Sequence, residues 1–141
     1  MIDIEALIPH REPIKIISEV IDLQENSGAA VAIVNPGWPL YNGKEVNPLV
    51  LIEAIAQTSA LMEGYKRSKQ GKEGVRGWLV GIKSAEFHVA AIPDKTRLTI
   101  YVNSLYSFDN YGVIEGVVKS GENVVVTAVL QAMRLNEDTA D

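Results

Sequence analysis

The segment 49–62, LVLIEAIAQTSALM, constrains everything else in this chain. Nearly every position is apolar, the exceptions being Glu53, Gln57, Thr58 and Ser59. Asn47 and Pro48 stand in front of it, where a helix start would place them, so the run predicts a helix over 49–68, about five turns long. Apolar residues occupy nearly its whole circumference up to Met62. A helix that is apolar all round must be buried. The rest of the chain has to wrap it, and any polar group it carries goes into the core with it.

That remainder reads as β-structure. Residues 3–7 suit a short helix halted by Pro9. The stretch 14–23, IKIISEVIDL, is rich in β-branched residues and partly alternates, so it predicts a strand. A turn at Gln24–Gly28 leads to a second strand over 29–34, its hairpin partner. Residues 35–48, NPGWPLYNGKEVNP, hold three prolines and two glycines and read as a long irregular loop, of the kind that often carries function. After the helix come strands over 77–89, 96–108, 111–119 and 123–135. Turn signals separate them at Pro93-Asp94, Asp109-Asn110 and Ser120–Asn123. The expected architecture is α+β, an antiparallel sheet wrapped around one central helix, in one domain spanning 1–141. A sheet on one side leaves the other side of the helix to be covered, so a homodimer or a higher homo-oligomer is expected.

Composition narrows the function classes. The chain has 141 residues and a net charge of −5, which argues against nucleic acid as partner. It contains no cysteine, which excludes disulfides, thiolate metal sites and cysteine nucleophiles. No apolar run reaches the ~18 residues of a membrane span. The N-terminus lacks the pattern of a signal peptide, so the cytoplasm is the expected compartment. His10 and His88, far apart, make a poor metal-ligand set. No phosphate loop, dinucleotide fingerprint or nucleophile elbow occurs, and neither metal nor cofactor is expected.

Glu53 and Gln57 lie four positions apart and share a helix face, a polar window in an apolar wall. A buried carboxylate must find a partner or take up a proton. Two readings stay open. Desolvation that lifts its pKa toward neutrality would suit a general acid or base. The alternative is a buried ion pair or hydrogen bond across a dimer interface. Gln57 reads as a hydrogen-bond partner of Glu53 or of a loop backbone group. His10, with Arg11 beside it as an ion-pair partner, and His88 read as structural residues. Trp38 and Tyr41 put apolar mass in a loop that should be polar, as cover for a pocket mouth or, on the blander and preferred reading, as the loop's own anchors. Lys66, Arg67, Lys69 and Lys72 form a basic cluster suited to a solvated helix end and its dipole. The sharper reading makes it a docking site for a phosphate or an acidic protein.

Several stretches resemble the β-hydroxyacyl-acyl carrier protein dehydratases. Leu7-Ile8-Pro9-His10-Arg11-Glu12-Pro13, with the strand after it, looks like their opening LPHRxPFLLVDRVLEL. Asn47–Gln57 is similar to their PGVLILEAMAQ helix start, and Leu79–Phe87 to their FAGIDKARF strand. Val89–Leu98 follows their PVVPGDQL turn. The resemblance covers about residues 5–133 and implies the hot-dog fold and assembly into dimers or larger oligomers. It implies a substrate that is a 3-hydroxyacyl thioester, on acyl carrier protein or coenzyme A. It also implies that the site is a tunnel along the dimer interface. On this resemblance Glu53 matches the family's catalytic glutamate, and Gly81 the glycine whose backbone N–H polarises the thioester carbonyl. Gln57, Trp38 and Pro48 become substrate-binding candidates.

The family's loop histidine has no counterpart. Counting back the family's spacing from Glu53 lands on Pro39, and no residue from 35 to 48 is histidine. The loop is also shorter. In this the chain resembles the dehydratase-like proteins of aryl-polyene and related polyketide-type clusters, with Asn42-Gly43-Lys44 and Phe87-His88-Val89 as the matching stretches. Three readings follow. The protein dehydrates, with Glu53 assisted by water or by a relocated base such as His88. Or it is a thioesterase in which Glu53 activates water or attacks the thioester. Or it is a catalytically silent subunit that binds acyl chains or carrier protein, or that needs a partner to supply the histidine.

Overall fold

The structure is a computed structural model that describes residues 15–71 and 77–134, with residues 77–79 and 134 as backbone alone. Expectations for the first 14 residues, including the short helix, His10 and Arg11, lie outside the described residues, as does Lys72. The element order is β1 (Glu19–Leu23), β2 (Ser27–Ile33), β3 (Glu45–Val46), α1 (Val50–Lys69), β4 (Gly77–Phe87), β5 (Ile92–Pro93), β6 (Arg97–Phe108), β7 (Tyr111–Ser120) and β8 (Asn123–Arg134). Six strands form one antiparallel sheet in the order β1-β2-β6-β7-β8-β4. This is the expected hot-dog arrangement. The helix rests chiefly on β2 and β6, then on β7, and touches β1 and β8 less.

The helix start shows why Asn47 and Pro48 precede the apolar run. Asn47 Oδ1 accepts the Leu49 N–H at 2.9 Å, and its carbonyl accepts the Val50 N–H at 3.1 Å. These are donors a helix start otherwise leaves unmatched. Proline at the next position has no N–H to satisfy. At the other end Gln70 caps the helix, and Gly71 turns the chain away at φ +71°, a conformation that favours glycine. Lys66, Arg67 and Lys69 lie in the last turn, where the dipole favours cations.

The inner face of the sheet follows the two-residue alternation of strands. Leu98, Ile100 and Val102 on β6, Ile114 and Val118 on β7, and Val126, Ala128 and Leu130 on β8 are buried against the helix residues Leu51, Ile55 and Leu61. Gly116 on β7 is where helix and sheet come closest. A β-carbon there would collide with Ile55 Cγ2 and stand 2.8 Å from its Cδ1 and Cγ1.

Three expectations need correction. The strand expected over 14–23 begins at Glu19. Residues 15–18 run beside β2, with Ser18 N–H donating to the Val31 carbonyl at 2.8 Å, but the Ile16 N–H is taken by the side chain of Gln57. The loop 35–48 is less irregular than its prolines suggest. Asn35 and Asn42 close local turns with their side-chain oxygens, β3 pairs with β5, and Tyr41 bridges to Val46. The helix, expected to be buried all round, keeps one face half-exposed, carrying Glu53, Ala56, Ser59, Ala60, Glu63 and Arg67.

Candidate functional site

The half-exposed face of α1 is the natural place to look. It starts at Glu53, in the first helical turn, where the N-terminal dipole favours a negative charge. Glu53 is half-buried, and Gln57, one turn on, is fully buried. The Gln57 side-chain nitrogen donates to Glu53 Oε1 at 3.1 Å, while its oxygen accepts the Ile16 backbone N–H at 2.9 Å. Gln57 thus spans from the acid to the segment leading into β1. The polar window read from the sequence is real, and both ends of the buried amide are satisfied.

Gly81, the other backbone candidate, sits on β4 opposite Gln131, beside an irregularity in the β4–β8 register. The Gln131 side chain folds over the Cα of Gly81, where a β-carbon would collide with Gln131 Oε1. Gln131 in turn donates to the Tyr111 hydroxyl at 2.8 Å, and the Tyr111 and Tyr106 rings meet edge-on at 6.3 Å. Sequence reading missed Gln131 and Tyr111. They become neighbours of Gly81 through strand pairing, which no local signal encodes.

A single chain does not bring Gly81 and Glu53 together. The strand β4 is the edge beyond β8, which the helix touches only lightly, and lies three steps, about 14 Å at ordinary strand spacing, from β6, one of the two strands on which the helix chiefly rests. His88 continues the pairing of this edge strand with β8. It follows the end of β4, its side chain is 45% exposed and lies 3.9 Å from the Glu86 carboxylate, and its N–H donates to the Val125 carbonyl. The strand β4 is also an edge of the sheet, and Val80, Ile82 and Phe87 on it are exposed apolar side chains. Ile82 and Phe87 pair with Leu130 and Val126, so they share the inner, helix-facing side and remain exposed there.

The loop that replaces the histidine loop is anchored rather than open. Trp38 is 5% exposed and belongs to the hydrophobic core, and its N–H donates to the Asn35 carbonyl. Pro48 is buried, and its carbonyl accepts the Leu51 N–H at 2.9 Å. Between the loop and the start of β5 is an open hollow of about 410 Å³, walled by Leu40, Tyr41, Glu45, Asn47 and Ala91 among others. Glu53 is not part of its wall. The Tyr41 phenol is held above its usual pKa, first by burial, then by the charge of Asp94 and a hydrogen bond to it. Tyr41 therefore stays protonated at neutral pH and offers a donor, not a base. Among the described residues no cluster of histidine, aspartate and glutamate could hold a metal ion, and no helix is long and apolar enough to cross a membrane.

Comparison with known proteins adds the following. A family model described as ApeP-like, ApeP dehydratase, matches residues 2–141. The 3-hydroxyacyl-[acyl-carrier-protein] dehydratase FabZ of Burkholderia cenocepacia is 29% identical over 133 residues, covering 86% of each chain. The FabZ of Caldanaerobacter subterraneus is 27% identical over 144 residues, covering 96% of this chain and 97% of its own. Among solved structures, a chain of the dehydratase heterocomplex ApeI:P from Xenorhabdus doucetiae superposes with a TM-score of 0.89. That match is at 22% identity and covers 98% of this chain and 94% of the other. A hypothetical thioesterase with coenzyme A from Streptococcus pneumoniae shares the fold, with a TM-score of 0.66 at 14% identity over 84% of this chain and 85% of its own.

Proposed function

Because this chain belongs to the ApeP-like dehydratase family, we propose that it supplies one half of a site that dehydrates 3-hydroxyacyl thioesters carried on acyl carrier protein. The observation that carries the proposal is Glu53, an acid held by a buried amide on the open face of the central helix, in a chain without a histidine in the loop before it. Glu53 is the general acid. A base removes a proton from C2 of the substrate, and the C2–H electron pair becomes the C2–C3 double bond. The C3–O bond breaks, and the leaving hydroxyl takes the Glu53 proton and departs as water. The product is a 2-enoyl thioester. The base then releases its proton and Glu53 regains one from solvent. The Gly81 N–H polarises the thioester carbonyl, stabilising the negative charge that develops there.

The base comes from a second subunit. Two features support this: the 35–48 segment lacks a histidine, and β4, which carries Gly81 and leads to His88, is an open edge with apolar side chains on its inner side. An antiparallel partner strand on β4 would cover Ile82 and Phe87 and set a second helix beside the first. The match to a chain of a dehydratase heterocomplex favours a partner of different sequence that brings its own histidine. The Lys66, Arg67 and Lys69 end of α1 is the docking point proposed for the acidic carrier protein. Changing all three to glutamate should weaken carrier binding, and unchanged affinity would remove that assignment.

The test incubates the purified chain with 3-hydroxyacyl and 2-enoyl thioesters, alone and co-purified with such a partner, following enoyl absorbance and free thiol together. Enoyl interconversion that needs both subunits and disappears in Glu53→Ala supports the reading. Thiol release dependent on Glu53 would make the protein a thioesterase instead. Turnover by the chain alone that is lost in His88→Ala would place the base within this sequence.

A further inference from the structure

The buried amide of Gln57 fixes more than the position of Glu53. The Ile16 backbone N–H can act solely as a donor, so the group facing it at 2.9 Å is the Gln57 oxygen. The amide nitrogen must then face Glu53, and it does so at 3.1 Å from Oε1. An amide nitrogen also only donates. Glu53 Oε1 is therefore an acceptor whether the carboxyl is ionised or protonated. We propose that Gln57 is a positioning residue that gives the two Glu53 oxygens separate tasks: Oε1 is held as acceptor, and any acid proton resides on Oε2. The assignment begins outside the helix, at a backbone N–H that residues 15–18 withhold from the sheet. It deepens the dehydratase reading, which rests on Glu53 as the acid, but the oxygen assignment stands on geometry that does not require turnover.

Glu53 and Gln57 each make a further interaction besides these two hydrogen bonds, so Gln57 shares control of the carboxyl. The strand β2 carries no charged residue. The charged side chains of β1, Glu19 and Asp22, are exposed, as is Arg97 on β6. Glu115 and Lys119 on β7 alternate with the buried Ile114, Gly116 and Val118, so they face away from the helix. Lys15 adjoins the Ile16 amide and has a partner of its own, as do Glu63 and Arg67 further along the helix.

The experiment is a carboxyl-carbon NMR titration of the full chain labelled at glutamate, in the wild type, Gln57→Met and Gln57→Glu. Removing a donor from the ionised form should raise the Glu53 pKa by about one to two units in Gln57→Met. Gln57→Glu keeps an acceptor for the Ile16 N–H and replaces the donor with a second carboxyl, so the shift should have the same sign and be larger. In the unmodified protein the Gln57 side-chain amide protons should move with the Glu53 titration, a readout that requires no variant to fold. A Glu53 pKa unmoved or lowered in a folded variant, or amide protons blind to that titration, would overturn the proposal. If these shifts occur while the wild-type complex has no dehydratase activity, the oxygen assignment stands and the catalytic reading fails. If the complex is active, Gln57→Met should lower kcat with KM nearly unchanged and move the pH profile of kcat upward.

Discussion

Gly116→Ala tests how tightly the helix is seated on the sheet. The added methyl would meet three side-chain atoms of Ile55, two of them at 2.8 Å and Cγ2 closer still. Ile55 is fully buried and cannot swing aside into solvent. In a helix its β-branched side chain has one strongly preferred rotamer. Relief must come from moving the helix or the strand. Overpacking of this kind costs about 1–3 kcal/mol. Replacing glycine inside a strand returns about 0.5–1 kcal/mol. The net expectation is a loss of roughly 0.5–2 kcal/mol, seen as a fall in Tm of roughly 2 to 8 °C. Calorimetry at one fixed protein concentration measures it, because association with another subunit would itself shift Tm. Ile55→Ala alone leaves a cavity and should cost about 2–5 kcal/mol. In the double variant the new methyl fills part of that cavity, so the combined loss should be smaller than the sum by about 1 kcal/mol or more. Gly116→Ala as stable as the wild type, or a double variant whose losses simply add, would refute this account of the contact. A shifted helix also carries Glu53 with it, and on the proposed dehydratase reading a misplacement of the acid by about 1 Å can cost on the order of 100-fold in rate.

Trp38→Ala should lose about 3–5 kcal/mol of stability in a denaturant titration, because the ring belongs to the core; unchanged stability with a raised KM would instead place the ring at the mouth of the substrate site. Ile82→Lys puts a charge on the inner side of the open edge and should dissociate any assembly formed through β4, read by light scattering, while an undiminished assembly would move the interface elsewhere. Tyr41 has a pKa raised above 10.0, by burial first and then by Asp94, so it contributes stability that is full below pH ~10 and is lost as pH rises through the folded value. The stability difference between wild type and Tyr41→Phe should accordingly be constant from pH 7 to ~10 and shrink above that. A difference that grows with pH would reverse the sign of that shift.

The sequence alone determined the helix, the long strands and the one acid within the apolar run 49–62. Fourteen successive positions, 49–62, are apolar but for four, and such a segment must bury most of its surface. Once it is a buried helix, Glu53 and Gln57 share a face by geometry alone. The alternating runs and turn residues placed the four long strands within two residues of their observed ends, because each signal is local to its own segment. Where a local signal competed with a distant group, the reading failed. Residues 15–18 look like strand and are not, because the Ile16 N–H is bound by a glutamine 41 positions away. The prolines of the 35–48 loop hid a strand pair completed by Ile92–Pro93. Tertiary structure alone decided that Gln131 lies over Gly81, that Trp38 fills the core, and that one helix face stays half-open. It also decided that β4, which carries Gly81 and leads to His88, lies at the sheet edge beyond β8. Those relations depend on which strand pairs with which and on how many strands separate two groups. Neither quantity is written in any stretch of adjacent residues.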